Sequence, residues 1–145
     1  MAKHLHEKRG ITFQELGALF AVREMLKAQV VTHTADRYVD DNGLYVNMNV
    51  TCKRNSSCGS IGCIGGTMAL IMGHSEGAAD CYVMQHHDTR GNDASLGALF
   101  FPPTNRADDA AAVYRSITPT QMIAAITNFI ERGKPFWKAV LRNVE

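Results

Sequence analysis

The sequence carries no excess charge of either sign. Lys and Arg number 15 against 14 Asp and Glu, for a formal net charge of +1, and the basic residues are scattered rather than striped. The electrostatic footprint of a nucleic-acid binder is therefore missing. Long apolar runs are missing too: the longest fall short of the roughly 18 to 20 residues needed to span a bilayer. The opening Met1-Ala2-Lys3-His4-Leu5-His6-Glu7-Lys8-Arg9 is polar and has no apolar core of a secretory signal. The expected compartment is the cytoplasm, with no membrane and no nucleic acid as partner. Thiols stay reduced there, so Cys52, Cys58, Cys63 and Cys81 read as free thiols rather than a disulfide framework. The Asn55-Ser56-Ser57 sequon then carries no glycan.

Several ligand-binding patterns are also absent. Cys52, Cys58, Cys63, Cys81, His74, His86 and His87 would supply metal ligands, but the tight C-x2-4-C pair that opens most structural zinc sites does not occur. The C-x4-C pair of Cys58 and Cys63 would be split by a helix start. Asp36, Asp40 and Asp41, and the Asp108-Asp109 pair, are too sparse for a calcium loop with its fixed alternating ligands. Gly59, Gly62, Gly65 and Gly66 fit neither a P-loop nor a dinucleotide fingerprint. No metal and no cofactor is expected.

What remains is a chain of 145 residues, 46% hydrophobic and 20% charged, long enough for one core and too short for two ordinary domains. The expectation is a mainly α, single compact helical domain over residues 11–145 behind a flexible N-terminus at 1–10, with a short β-hairpin at about residues 36–50. Thr12 and Glu15 form a capping box and Ile11 can staple onto Leu16. A helix should follow to about Val30, with Leu16, Leu19, Phe20, Leu26 and Val30 on its buried side. Asp41-Asn42-Gly43 signals a turn. Leu44, Val46, Met48 and Val50 then alternate with polar residues as in a half-buried strand, which could pair with residues 37–40.

A helix is expected from near Ser60 to Met72, stopped by Gly73. The Gly65-Gly66 pair weakens it by about 1 kcal/mol per Gly relative to Ala, so a neighbouring backbone should approach closely there. Residues 74–93 give only a short element around Cys81-Tyr82-Val83-Met84. Leu96-Gly97-Ala98-Leu99-Phe100-Phe101, ending at Pro102-Pro103, reads as one apolar turn plugging the core. The clearest helix starts at Ile117-Thr118-Pro119-Thr120-Gln121-Met122, with an N-cap, a Pro at the first position, a capping box and a staple. Its buried face is Met122, Ile123, Ile126, Phe129 and Ile130; Gly133 and Pro135 end it, and Phe136 and Trp137 follow as aromatic anchors. Met48, Met68, Met72, Met84 and Met122 read mostly as core rather than as an adaptable binding surface.

The chemistry, if there is any, lies in Cys58-Gly59-Ser60-Ile61-Gly62-Cys63-Ile64-Gly65-Gly66. A thiol at a helix N-terminus has its thiolate favoured by the macrodipole. Cys63, or Cys58, could serve as nucleophile with His86 or His87 as base and Asp88 or Asn92 to orient the imidazole. The run is similar to the C-G-S-C element of papain-like enzymes, but has two extra residues and no aromatic after the second cysteine. The plainer reading makes Cys58 and Cys63 buried filler where helices touch, and His86-His87-Asp88 a solvated loop.

Taken together, Cys58 to Gly66 with its apolar helix, Leu96 to Pro102, and Ile117 to Trp137 resemble a group of small uncharacterised proteins of bacteria and their phages. That group shares a C-G-[ST]-x-x-C-[IL]-[AG]-G helix start and an I-T-P-x-Q…G-x-P-x-W C-terminal helix. This chain departs from the pattern at Thr67, where the group usually carries an aromatic. The resemblance implies a mainly helical domain and a phage or mobile-element setting. The expected function is that of a phage- or prophage-type accessory protein that binds another macromolecule, a protein by preference, as a homodimer or as an inhibitor of a host or defence protein. The alternative is a cysteine-dependent hydrolase or transferase using Cys63, His87 and Asp88.

Overall fold

The computed structural model describes residues 3–104 and 109–142; Asp108 of the sparse acidic pair lies outside them. The elements in chain order are α1 (Leu5–Lys8), α2 (Phe13–Lys27), β1 (Val31–His33), β2 (Leu44–Val46), β3 (Cys52–Arg54), β4 (Ser60–Gly62), α3 (Ile64–Ile71), α4 (Glu76–Gln85), α5 (Leu96–Phe100), α6 (Ala110–Ser116), α7 (Pro119–Arg132) and α8 (Trp137–Arg142). No helix among the described residues is long and apolar enough to cross a membrane.

The fold is mixed α/β, which corrects the mainly α expectation. Four strands form one sheet in the order β1-β2-β4-β3. The strands β1 and β2 run parallel, as do β2 and β4, and only β3 and β4 are antiparallel. The hairpin expected at 36–50 is therefore absent: β2 pairs with β1 in the register Val31 to Leu44, and the loop at 34–43 carries the chain back to the starting edge. The alternation over 44–50 breaks at Asn47. This side chain is fully buried, its Nδ2 donates to the Asp36 carbonyl at 3.2 Å and its Oδ1 accepts the Asn49 N–H at 2.9 Å. An Asn that bonds its own backbone two residues on makes a turn, and Val50 N–H closes it onto the Asn47 carbonyl. The strand stops at Val46.

The segment taken as the start of a helix at Ser60 is instead the inner strand β4, with all three residues buried between β2 and β3. Cys63 then caps α3. The backbone of Val50 and Thr51 lies across this junction. Cys63 N–H donates to the Val50 carbonyl at 2.7 Å, and a methyl at Gly66 would overlap the Thr51 carbonyl oxygen. At Gly65 a methyl would meet the Phe100 ring at 2.8 Å. The glycine pair is thus explained by close approach, of a backbone on one side and an aromatic ring on the other.

The helices follow their sequence signals more closely. Thr12 and Glu15 form the capping box of α2, and Thr118 and Gln121 that of α7. Leu19, Val22, Ile126 and Phe129 meet in the core at zero exposure. The first of these helices ends at Lys27, with Gln29 at φ 59, so Val30 is exposed rather than part of a buried face. Residues 76–85 form α4, where only a short element was legible. All of α5 is buried, as its plug role requires. Gly133, at φ 87, closes α7, and Arg9 donates to the carbonyls of Ile130 and Glu131 at 2.8 and 3.0 Å, satisfying the end of that helix.

Two glycine substitutions should separate close approach from mere helix propensity. Gly66→Ala should destabilise the protein by about 1–3 kcal/mol or more, because a carbonyl held in a turn cannot retreat. Gly17→Ala, where nothing lies within 4 Å of the added carbon, should stabilise it by about 0.5–1 kcal/mol. Denaturant midpoints of the two variants against the parent check both signs.

Candidate functional site

Cys63 occupies the N-cap of α3 and uses its sulfur as a serine would use its hydroxyl. Its Sγ accepts the Gly66 N–H at 3.4 Å and faces the Thr51 carbonyl at 3.9 Å. The helix N-terminus favours a thiolate, but the group is 2% exposed. Burial dominates, and even with the backbone N–H groups of Gly66 and Gly65 opposing it the thiol is pushed up to about 11. Cys52 on β3 is 3% exposed and likewise raised to about 11, by burial first and the Glu76 charge second. Cys58, expected as filler, is exposed in a turn at φ 67, and Cys81 is exposed on α4.

None of the residues named with Cys63 hydrogen-bonds its sulfur, whose partners are the Thr51 and Gly66 backbone. The His87 ring packs edge-on against Phe101 at 4.9 Å between centroids, and its Nδ1 lies 3.0 Å from Arg90 Nη1. Asp88 is exposed on the 3-10 turn His87–Thr89, and Asn92 caps the following turn through the Ala94 N–H. His86 stands between Tyr82 and Phe100, with centroids at 5.0 and 5.4 Å. Its Nε2 is buried without a hydrogen-bond partner, 3.9 Å from Glu15 Oε2, and burial lowers its pKa, against the raising influence of Glu15. That carboxylate is already engaged by the Tyr82 hydroxyl at 2.6 Å. Among the described residues, no three His, Cys, Asp or Glu side chains converge as metal ligands would.

A different feature has the shape of a binding site. A cleft of about 510 Å³ opens where α8 folds back over the turn before α5. Its apolar lining comes from Ala98, Pro103, Pro135, Phe136 and Trp137, and its rim carries Arg90, Lys134, Lys138 and Arg142 against, among the described residues, a single acid, Asp93. The chain reversal that makes it is fixed at several points. Asn128 Nδ2 donates to the Pro135 carbonyl at 3.1 Å, Phe136 sits at φ 56 with the Arg132 guanidinium 4.2 Å above its ring, and Trp137 Nε1 donates to the Leu99 carbonyl at 3.1 Å. Lys134 and Asp93 form an exposed pair at 3.5 Å. Lys138 and Arg142 have no acidic partner among the described residues.

The sequence reading passed over this cleft, taking Phe136 and Trp137 only as anchors. A signal was present: Lys138 and Arg142 stand four residues apart just after Pro135-Phe136-Trp137, the spacing that lines one side of a helix.

No family model, no curated protein and no solved structure matches this chain. Its function must be argued from its own geometry.

The thiol environments give two measurable consequences. Below pH 8, iodoacetamide should reach Cys58 and Cys81 in the folded protein, and Cys52 and Cys63 only after denaturation, as read by mass spectrometry. Rapid labelling of folded Cys63 with a half-maximal rate below pH 8 would restore the nucleophile. A thiol raised on folding stabilises the protein fully below its ordinary value of 9.0, and that contribution is lost as pH rises through about 11. Cys63→Ser, which keeps a capping side chain, should lose less stability over that window than the parent.

Proposed function

We propose that this protein is a small accessory protein of the phage and prophage type that acts by binding another protein, and that the cleft beside α8 receives the partner. The observation that carries this reading is the pairing of an apolar, aromatic floor with an unbalanced ring of cations. Apolar area supplies affinity at such a site, and fixed charges select the partner and speed its encounter. The chemistry that fits is an acidic segment bearing one aromatic or branched aliphatic side chain. Inhibition of a host or defence protein is one form this activity could take. The motif resemblance over Cys58 to Gly66 and Ile117 to Trp137 supports the phage setting. No contact favours a hydrolase or transferase built on Cys63 and His87, because the sulfur bonds backbone groups and the imidazole faces Arg90 and Phe101.

Trp137 is the sole tryptophan of the chain and stands, 2% exposed, in the wall of the cleft, so its emission responds to changes at that wall. An acidic peptide with a central Phe should change that emission saturably, with affinity falling as salt is added. A basic peptide of the same length should leave it unchanged. The pair Lys138→Glu and Arg142→Glu should weaken the acidic peptide about tenfold or more, the equivalent of about 1.4 kcal/mol. Equal response to both peptides, or to neither, would remove the reading.

A further inference from the structure

The chain holds, on its own surface, a segment of the chemistry that the cleft selects. The loop at 34–43 between β1 and β2 carries Asp36, Asp40 and Asp41 against a single Arg37, and Tyr38 stands out of it at 77% exposure, stacked on no other ring among the described residues. The loop backbone is nonetheless clamped. Asn55 Nδ2 donates to the carbonyls of Val39 and Asp41 at 2.6 and 2.8 Å, and Asn47 Nδ2 donates to that of Asp36 at 3.2 Å. Asp41 is held in turn by the Tyr45 hydroxyl at 2.9 Å and the Gly43 N–H at 2.9 Å. An acidic turn presenting one free aromatic ring is thus fixed before any partner arrives, which reduces the ordering cost of binding.

We propose that the Tyr38 loop of one copy of this chain docks in the basic cleft of a second copy. Tyr38 would enter against Pro135 and Phe136, and Asp36 and Asp40 would face Lys138 and Arg142. The proposal rests on the cleft being a binding site for acidic segments. Its own content is the occupant. Loop and cleft share no lining residue, so each contact joins two different patches: made twice across a two-fold it closes a dimer, and made once between successive copies it grows into a ring or a row.

Light scattering of the full chain at about 100 μM, a concentration suited to the micromolar affinity of a small charged contact, tests this. At low salt the parent should run as species larger than a monomer and shift towards monomer at about 0.5 M salt, where charges are screened over a few ångströms. A loop variant, Tyr38→Ala with Asp40→Lys, and a cleft variant, Lys138→Glu with Arg142→Glu, change exposed side chains; unchanged circular dichroism confirms their folding. Each variant alone should be monomeric. Mixed in equal amounts they should form a dimer and nothing larger, because the mixture offers one intact loop to one intact cleft. A parent that stays monomeric at low salt overturns the proposal, as do variants that assemble like the parent or a mixture that stays monomeric. If the parent is monomeric while the acidic peptide still shifts Trp137 emission, the self-docking falls and the cleft stands; if neither occurs, both fall.

Discussion

The contact on which most of this structure depends is the one between the backbone of Val50 and Thr51 and the first turn of α3. The strand β4 feeds directly into that helix, and the junction is sealed by the Cys63 N–H on the Val50 carbonyl, with Gly66 lying under the Thr51 carbonyl. Helix starts leave backbone N–H groups without intrahelical partners, and here the cap is a sulfur because the space is dry and small. Everything packed on α3 inherits its position. Phe100 of α5 rests against Gly65, the neighbouring Leu99 offers its carbonyl to Trp137, and Trp137 opens the helix whose cations rim the cleft. A side chain added at Gly66 would therefore be felt, through α5, at a surface several elements away.

The interior polar groups serve the same end. Glu15 closes the α2 capping box with one oxygen and takes the Tyr82 hydroxyl with the other, so a single carboxylate ties α2 to α4. That hydroxyl is a donor only while protonated, and burial together with Glu15 holds its pKa well above the ordinary range. His86 completes the layer as a neutral ring wedged between Tyr82 and Phe100. A Cys, a His and a Glu inside one small protein invite a catalytic reading, yet each is occupied in joining two elements, and desolvation outweighs the helix dipole at the one thiol where a thiolate would matter.

The helices were legible because their signals are local. Capping boxes at Thr12 and Thr118, a Pro at position 119 and a Gly at 133 act within a turn of the residues they cap, and α2 and α7 are long enough for periodicity to register. The sheet was not, because its strands are three residues each, shorter than any run over which alternation can be recognised. Parallel pairing is non-local, and nothing near Leu44 announces that its neighbours are Val31 and Ser60. The alternation over 44–50 was real but belonged to a strand followed by an Asn47 turn, and only the burial of that side chain reveals the break. At the site, the sequence started the helix near Ser60, where the chain is still strand β4, and read Cys58 as buried filler although it is exposed. It read Phe136 and Trp137 without the lysines between which they stand.

Net charge also proved a poor guide to electrostatic character. A formal +1 suggests a featureless surface, but the sum cancels a basic rim at the α8 cleft against an acidic loop at 34–43. Attraction between exposed charges is short-ranged, over about 10 Å at 0.1 M salt, so a partner responds to the patch it meets rather than to the total. A balanced chain with segregated charge can therefore be selective where one with a uniform excess would attract any counter-charged polymer. The apolar floor works in the same direction: a polyanion without a side chain to bury would gain only the screened rim contacts, worth little each, whereas an acidic segment with an aromatic residue gains the rim and the floor together. On the reading proposed above, an acidic protein segment is selected over a nucleic-acid backbone by the shape of the cleft and not by the count of its charges.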